Sequence, residues 1–221
     1  PMRQHLLKRT IAVLLAFLAY QVAELIAILP GSLHLAYATM SGVILAILLF
    51  SFLIGWLWRM QRRFQAGMQP PDATTPAFSW AKIRGALPGV VIMIVVQVIG
   101  SIMVNRGIVP NSGNEVAIDD LMRSNRVVML LIVNIAAPLV EELIFRGLLM
   151  NVAFKERNRF SDVFNIIMST VAFAIVHGPT NLFDFVIYAG LGFALALTYV
   201  RTRDVRYGMV MHIINNLVAS L

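Results

Sequence analysis

Residues 127–154 read VVMLLIVNIAAPLVEELIFRGLLMNVAF. A helix needs roughly 20 mostly apolar residues to cross a bilayer, and this run exceeds that. Its only charges are Glu141, Glu142 and Arg146. Apolar residues do not alternate with polar ones, as they would in a barrel strand, so the segment is a membrane helix. Working outward, six more apolar segments emerge, at 10–29, 33–58, 86–104, 163–177, 183–200 and 208–221. The expectation is an all-α polytopic membrane protein. It is a bundle of about seven transmembrane helices, or eight if the intact protein runs on. Residues 1–221 form one integral membrane domain, and the motif-bearing core covers about 127–221.

Composition agrees. Of 221 residues, 59% are hydrophobic and 13% are charged, and the mean hydropathy is +0.79. Soluble domains carry about a quarter charged residues. Disorder needs low hydrophobicity and high net charge. Both classes are excluded. The net charge of +7 would suggest nucleic acid in a soluble protein. Here it reports basic loops, and no nucleic-acid partner is expected. There is no cysteine, which removes disulfides, thiolate metal sites and thiol catalysis. Pro1 precedes Met2, which points to a native start at Met2. Segment 10–29 lacks a small-residue cleavage site and is a span, not a removable signal.

Loop charge sets an expected orientation. Lys and Arg gather at 3–9, 59–84, 155–159 and 201–206, all on one side of the bundle. The opposite loops hold Arg106, Arg123 and Arg126 against Glu115, Asp119 and Asp120. The positive-inside rule then places the N-terminus in the cytoplasm and the C-terminus outside. Residues 69–76 (QPPDATTP) read as a cytoplasmic linker. Trp56, Trp58 and Trp80 flank it, as interfacial tryptophans do.

Ionisable groups inside a span cost roughly 2.5–3.5 kcal/mol on insertion scales and are functional hypotheses by default. Glu142 and Arg146 are four residues apart on one helical face and can pair, a combination that also serves as plain structural glue. Glu141 lies about 100° around the helix and is the freer carboxylate, a candidate general base. His177 ends the fifth span. His212 and Asn216 share a face of the seventh, where an imidazole and a carboxamide form a candidate oxyanion donor pair. Taken singly, each His or Asn can be a packing residue that bridges helices. Two carboxylates, an arginine, two histidines and an asparagine on three spans point to one site. Glu24, alone in the first span, has no assigned role.

Glu141-Glu142-x-x-x-Arg146, Phe173-x-x-x-His177 and His212-x-x-x-Asn216, in this order on successive spans, resemble the CPBP family. That family comprises the CAAX proteases and bacteriocin-processing (Abi) proteins, including the Ras-converting CAAX endopeptidase type. The resemblance covers residues 141–216. It implies an intramembrane endopeptidase in which Glu141 and His177 activate water. It also implies that His212 and Asn216 stabilise the oxyanion, with Glu142 and Arg146 in support and Asn181 in a secondary place. The implied partners are the lipid bilayer and a membrane-anchored peptide or protein substrate. The compact length and basic loops suggest a prokaryotic cell membrane. A bacteriocin, pheromone or similar membrane-associated peptide then fits better than a prenylated CAAX tail. Two alternatives stand beside it. One is a non-catalytic immunity or regulatory protein that binds a partner. The other is a small transporter, against which no inverted repeat is visible.

The cofactor question stays open on sequence. A glutamate–histidine pair can activate water without a metal, the favoured expectation. Zinc held by Glu141, His177 and His212 is the alternative, although the His-Glu-x-x-His pattern of zincins is absent. Depth poses a further test. At 1.5 Å per residue, Glu141 and His177 lie roughly 20–22 Å from the cytoplasmic ends of their spans, but His212 only roughly 7 Å. A shared site requires the 201–207 loop to dip into the protein or the helices to tilt.

Overall fold

A computed structural model describes residues 2–66, 68 and 78–220. The expected 69–76 linker lies outside the described residues. Seven helices follow in order. They are α1 Met2–Ser32, α2 Ala38–Gln65, α3 Trp80–Asn105, α4 Gly113–Asn151, α5 Arg159–Val176, α6 Leu182–Thr202 and α7 Val205–Ala219. The first six are long and apolar enough to cross a membrane. The seventh expected span is a helix of 15 residues.

Polar side chains punctuate the chain where helices begin. Ser79, Ser112, Asn158, Asn181 and Asp204 each accept a hydrogen bond from a backbone N–H in the turn that follows. Each satisfies a donor that a helix start leaves unpaired. Asn158 and Ser161 do so reciprocally, a capping box. Gly178, at φ +60°, ends the α5 region in a left-handed conformation that glycine adopts without steric cost.

Helix α4 is the axis of the bundle. Its most apolar window is 67% buried, against 17–44% for the other five spans. Large apolar residues such as Leu14, Leu18, Phe52 and Ile94 stay exposed on the surrounding helices, as a lipid-facing surface requires. Within α4, two turns widen to π geometry, at Ile132–Ala136 and Leu143–Leu148. Pro138 gives a local reason for the first, since it has no N–H to donate to the preceding turn. The two wide turns bracket Glu141 and Glu142.

The end of α4 is closed by polar contacts. The Arg9 guanidinium donates to the carbonyls of Asn151 at 2.5 Å and Phe64 at 3.1 Å. The Asn151 amide donates to Gly147 O at 2.9 Å and to the Tyr199 hydroxyl at 2.8 Å. In hydrocarbon every exposed backbone group needs such a partner.

The α6–α7 turn is partly buried. Thr202 and Asp204 are 4% and 7% exposed, and Asp204 pairs with Lys82 of α3 at 2.9 Å and with Arg206 at 2.6 Å. The turn sits beside the beginnings of α3 and α5, where Arg201 donates to the Gly85 carbonyl and Arg203 pairs with Asp162. His212 is seven residues into α7, about 10 Å at 1.5 Å per residue. Glu141 is ten residues from the end of α4, about 15 Å by the same rise. The two residues nonetheless meet, His212 Nε2 lying 3.9 Å from Glu141 Oε2.

Small residues allow close crossings, as is usual where membrane helices meet. At Gly89 of α3, a Cβ would stand 2.6 Å from the Ala194 carbonyl oxygen of α6 and would also strike Thr198 Oγ1. Replacing Gly89 by Leu should cost about 1–3 kcal/mol through overpacking, seen as a drop of several degrees in the thermal midpoint in detergent. Gly55→Ala, at an open position, should leave the midpoint unchanged or slightly raised.

Burial alone would push the Asp204 carboxyl up, but hydrogen bonds from Arg206 and Lys82 outweigh it and hold the group below its ordinary value of 3.8. A carboxylate lowered in the folded state stabilises the fold above its unfolded pKa, and loses that contribution as pH falls through the folded value. Asp204→Asn should therefore lower the thermal midpoint at pH 7. The gap from wild type should narrow once pH falls below about 4, as a detergent melting series across pH would show.

Candidate active site

The charged turn of α4 presents two different faces. Glu142 and Arg146 are fully buried and paired, Arg146 Nη1 donating to Glu142 Oε1 at 2.9 Å. Nη2 of the same guanidinium donates to the Gly192 carbonyl of α6 at 2.9 Å. Its plane lies over the Phe173 ring, 4.8 Å from the centroid. A buried charge is tolerable only when paired and hydrogen-bonded, and this arginine gains both while tying α4 to α6. Glu142 Oε2 has no hydrogen-bond partner in the structure. It lies so close to α7 that a Cβ at Gly208 would stand 2.5 Å away.

Glu141 faces the other way, into a cavity of about 760 Å³. His177, His212 and Asn216 line the same cavity. Glu141 Oε2 lies 3.9 Å from His212 Nε2, too far for a hydrogen bond. Both atoms can reach one small polar group between them. The other ring nitrogen, His212 Nδ1, is 3.4 Å from Glu142 Oε1, without the alignment of a hydrogen bond. His212 thus stands between two carboxylates of neighbouring sequence number.

His177 is held by its surroundings. Its Nδ1 is 2.7 Å from the Phe173 carbonyl oxygen. A carbonyl only accepts, so Nδ1 carries the proton, and in a neutral ring the lone pair is on Nε2. The ring stacks on Tyr188 at 4.6 Å and 26°, and lies 4.3 Å from Phe173. This fixes ring and tautomer together.

Asn216 has mixed duties. One amide N–H donates to the Val133 carbonyl at 2.8 Å, within the first wide turn of α4. An amide has two donors, which leaves a second. Its Oδ1 accepts from Asn215, whose own Oδ1 accepts from Gln97 of α3 at 2.8 Å. Asn181 lies apart from this group. It is exposed and caps α6 by accepting from the Asp184 N–H.

The structure therefore brings Glu141, His177, His212 and Asn216 around one cavity, with Glu142 and Arg146 packed behind. Sequence reasoning missed Tyr20, which donates to Glu141 from α1, Asn215, which donates to Asn216 on α7, and Gln97 of α3, which donates to Asn215. Tyr20 stands four residues before Glu24, on the same helical face, and the noted oddity of Glu24 was its signal. Glu24 itself lines the cavity. Among the described residues no three His, Asp or Glu side chains are placed to share a metal ion. Glu141, His177 and His212 do not fit a zinc site as they stand.

Residues 123–218 match the family described as type II CAAX prenyl endopeptidase Rce1-like. Among curated proteins, the "Putative membrane peptidase YdiL" of Bacillus subtilis (strain 168) is 31% identical over 110 residues, which are 50% of this chain and 43% of that protein. The "UPF0177 protein YvdC" of Lactococcus lactis subsp. lactis (strain IL1403) is 26% identical over 108 residues, 49% of this chain and 40% of its own. The chain thus spans about two fifths of the length of these relatives. No solved structure matches. Residues 123–218, which hold all three motifs, are thus similar to the Rce1-like type II CAAX prenyl endopeptidase family.

Proposed function

We propose that the protein is an intramembrane endopeptidase that hydrolyses a peptide bond in a membrane-associated or lipid-anchored peptide. The observation that carries this reading is the pairing of Glu141 Oε2 with His212 Nε2, 3.9 Å apart, across a cavity also lined by His177 and Asn216. Glu141, with His177, takes a proton from water as the water oxygen bonds to the scissile carbonyl carbon. His212 through Nε2 and Asn216 through its second amide N–H stabilise the oxyanion. The proton then passes to the amide nitrogen and the C–N bond breaks, leaving a carboxylate and an amine. No metal is required. Residues 127–221 form the catalytic core of a single membrane domain, set in a prokaryotic cell membrane with the N-terminus in the cytoplasm.

The substrate must arrive extended or unwound, because a helix hides its carbonyls in its own hydrogen bonds. A segment next to a membrane anchor meets that demand. Its lipid holds it at the bilayer while its peptide stays free to straighten.

Cleavage of lipidated and plain membrane-anchored reporter peptides in detergent tests the reading. Glu141→Ala should lower kcat by about a hundredfold or more, and a strong chelator should leave wild-type cleavage intact. Cleavage that survives Glu141→Ala would sink the mechanism, and loss with chelator would replace it by a metal-dependent one.

The support role of the buried pair makes a separate expectation. Arg146→Ala strands Glu142 in an apolar core and should cost about 3–5 kcal/mol. Glu142→Gln combined with Arg146→Met should recover much of the thermal stability. A melting comparison in detergent reads both.

A further inference from the structure

Glu141 has one hydrogen-bond partner that lies outside the matched residues 123–218. The hydroxyl of Tyr20, on α1, is 3.0 Å from Glu141 Oε1. An ionised carboxylate only accepts, so Tyr20 donates. The tyrosine is 6% exposed, and its ring is wedged edge-on between two others. Phe17 lies 6.1 Å away at 76° and Phe50 of α2 lies 6.2 Å away at 73°. The hydroxyl is therefore held by two helices and has little freedom to leave the carboxylate.

The terminal torsion of a glutamate is broad. Left alone, the Glu141 carboxylate could turn either oxygen, or neither, toward the centre of the site. With Oε1 bonded to Tyr20, its plane is set and Oε2 is the oxygen that faces His212. From this we infer that Tyr20 is a positioning residue for Glu141, so that α1 completes the catalytic group that α4, α5 and α7 carry. The inference rests on the peptidase reading above, and it extends the working site beyond the family-matched segment. It also gives the first span a role in the reaction besides anchoring.

Tyr20→Phe keeps the ring and removes only the oxygen. Two measurements are paired. The first is steady-state cleavage of a fluorogenic peptide carrying a farnesylated cysteine anchor and of the same peptide with a plain acyl anchor. Losing one hydrogen bond to a charged group should lower kcat roughly tenfold, with KM within about twofold, because the bond orients the base and does not touch the substrate. Leu18→Ala, on the exposed face of α1, should leave both constants unchanged. The second is a thermal-stability cycle of Tyr20→Phe, Glu141→Leu and the double variant, which needs no turnover. If the two groups hold each other, the double variant loses clearly less than the two single losses combined.

Wild-type kcat in Tyr20→Phe overturns the inference, as does a change confined to KM or additive losses in the cycle. Failure of the wild type to cleave either peptide would instead defeat the peptidase reading, and the positioning role with it. Cleavage by the wild type with an unaffected Tyr20→Phe would defeat the role of Tyr20 alone.

Discussion

The Glu142–Arg146 pair, fully buried at 2.9 Å, is the interaction on which the surrounding architecture turns. A charge in the middle of an apolar bundle must be neutralised or expelled. The arginine is neutralised on one side by its own helix and on the other by the Gly192 carbonyl of α6, and the Phe173 ring covers it. Three elements thus meet on a single guanidinium. Phe173 is also the residue whose carbonyl orients His177. The pair that neutralises the interior is one residue removed from the carboxylate that faces the cavity. Packing and chemistry are linked there by less than one helical turn.

The irregular backbone of α4 follows from the same constraint. Non-helical backbone at membrane depth survives only where protein or a polar cavity satisfies it. The carbonyl of Val133, in the wide turn ahead of Pro138, receives the Asn216 amide of α7. Wide turns of this kind recur at functional sites. Here one places Asn216 against α4 and the next lies directly after Glu142. The Lys82–Asp204 contact ties the α6–α7 turn to the start of α3, and His212 of α7 lies 3.9 Å from Glu141.

The resulting cavity is asymmetric in its polarity. Glu141, His177, His212 and Asn216 line it, as do Glu24, Glu115 and Asp119. Its outer surroundings are the apolar faces of a membrane bundle.

Much of this was legible in the residues. Long apolar runs determined the spans, because the bilayer demands a minimum hydrophobic length whatever the helices later pack against. The Glu142–Arg146 pairing and the shared face of His212 and Asn216 followed from helical period, a local property. The glutamate doublet and two histidines, each costly in a span, marked the candidate site. What only the tertiary structure decided lies between helices. The meeting of Glu141 with His212 depended on how α7 packs against α4, and Asn181 became a helix cap on the surface. The contact of Tyr20 with Glu141 joins residues 121 positions apart. Period and hydropathy describe one helix at a time. Distances across the bundle come from crossing geometry and from turns stabilised by particular ion pairs, and those are properties of the assembled fold.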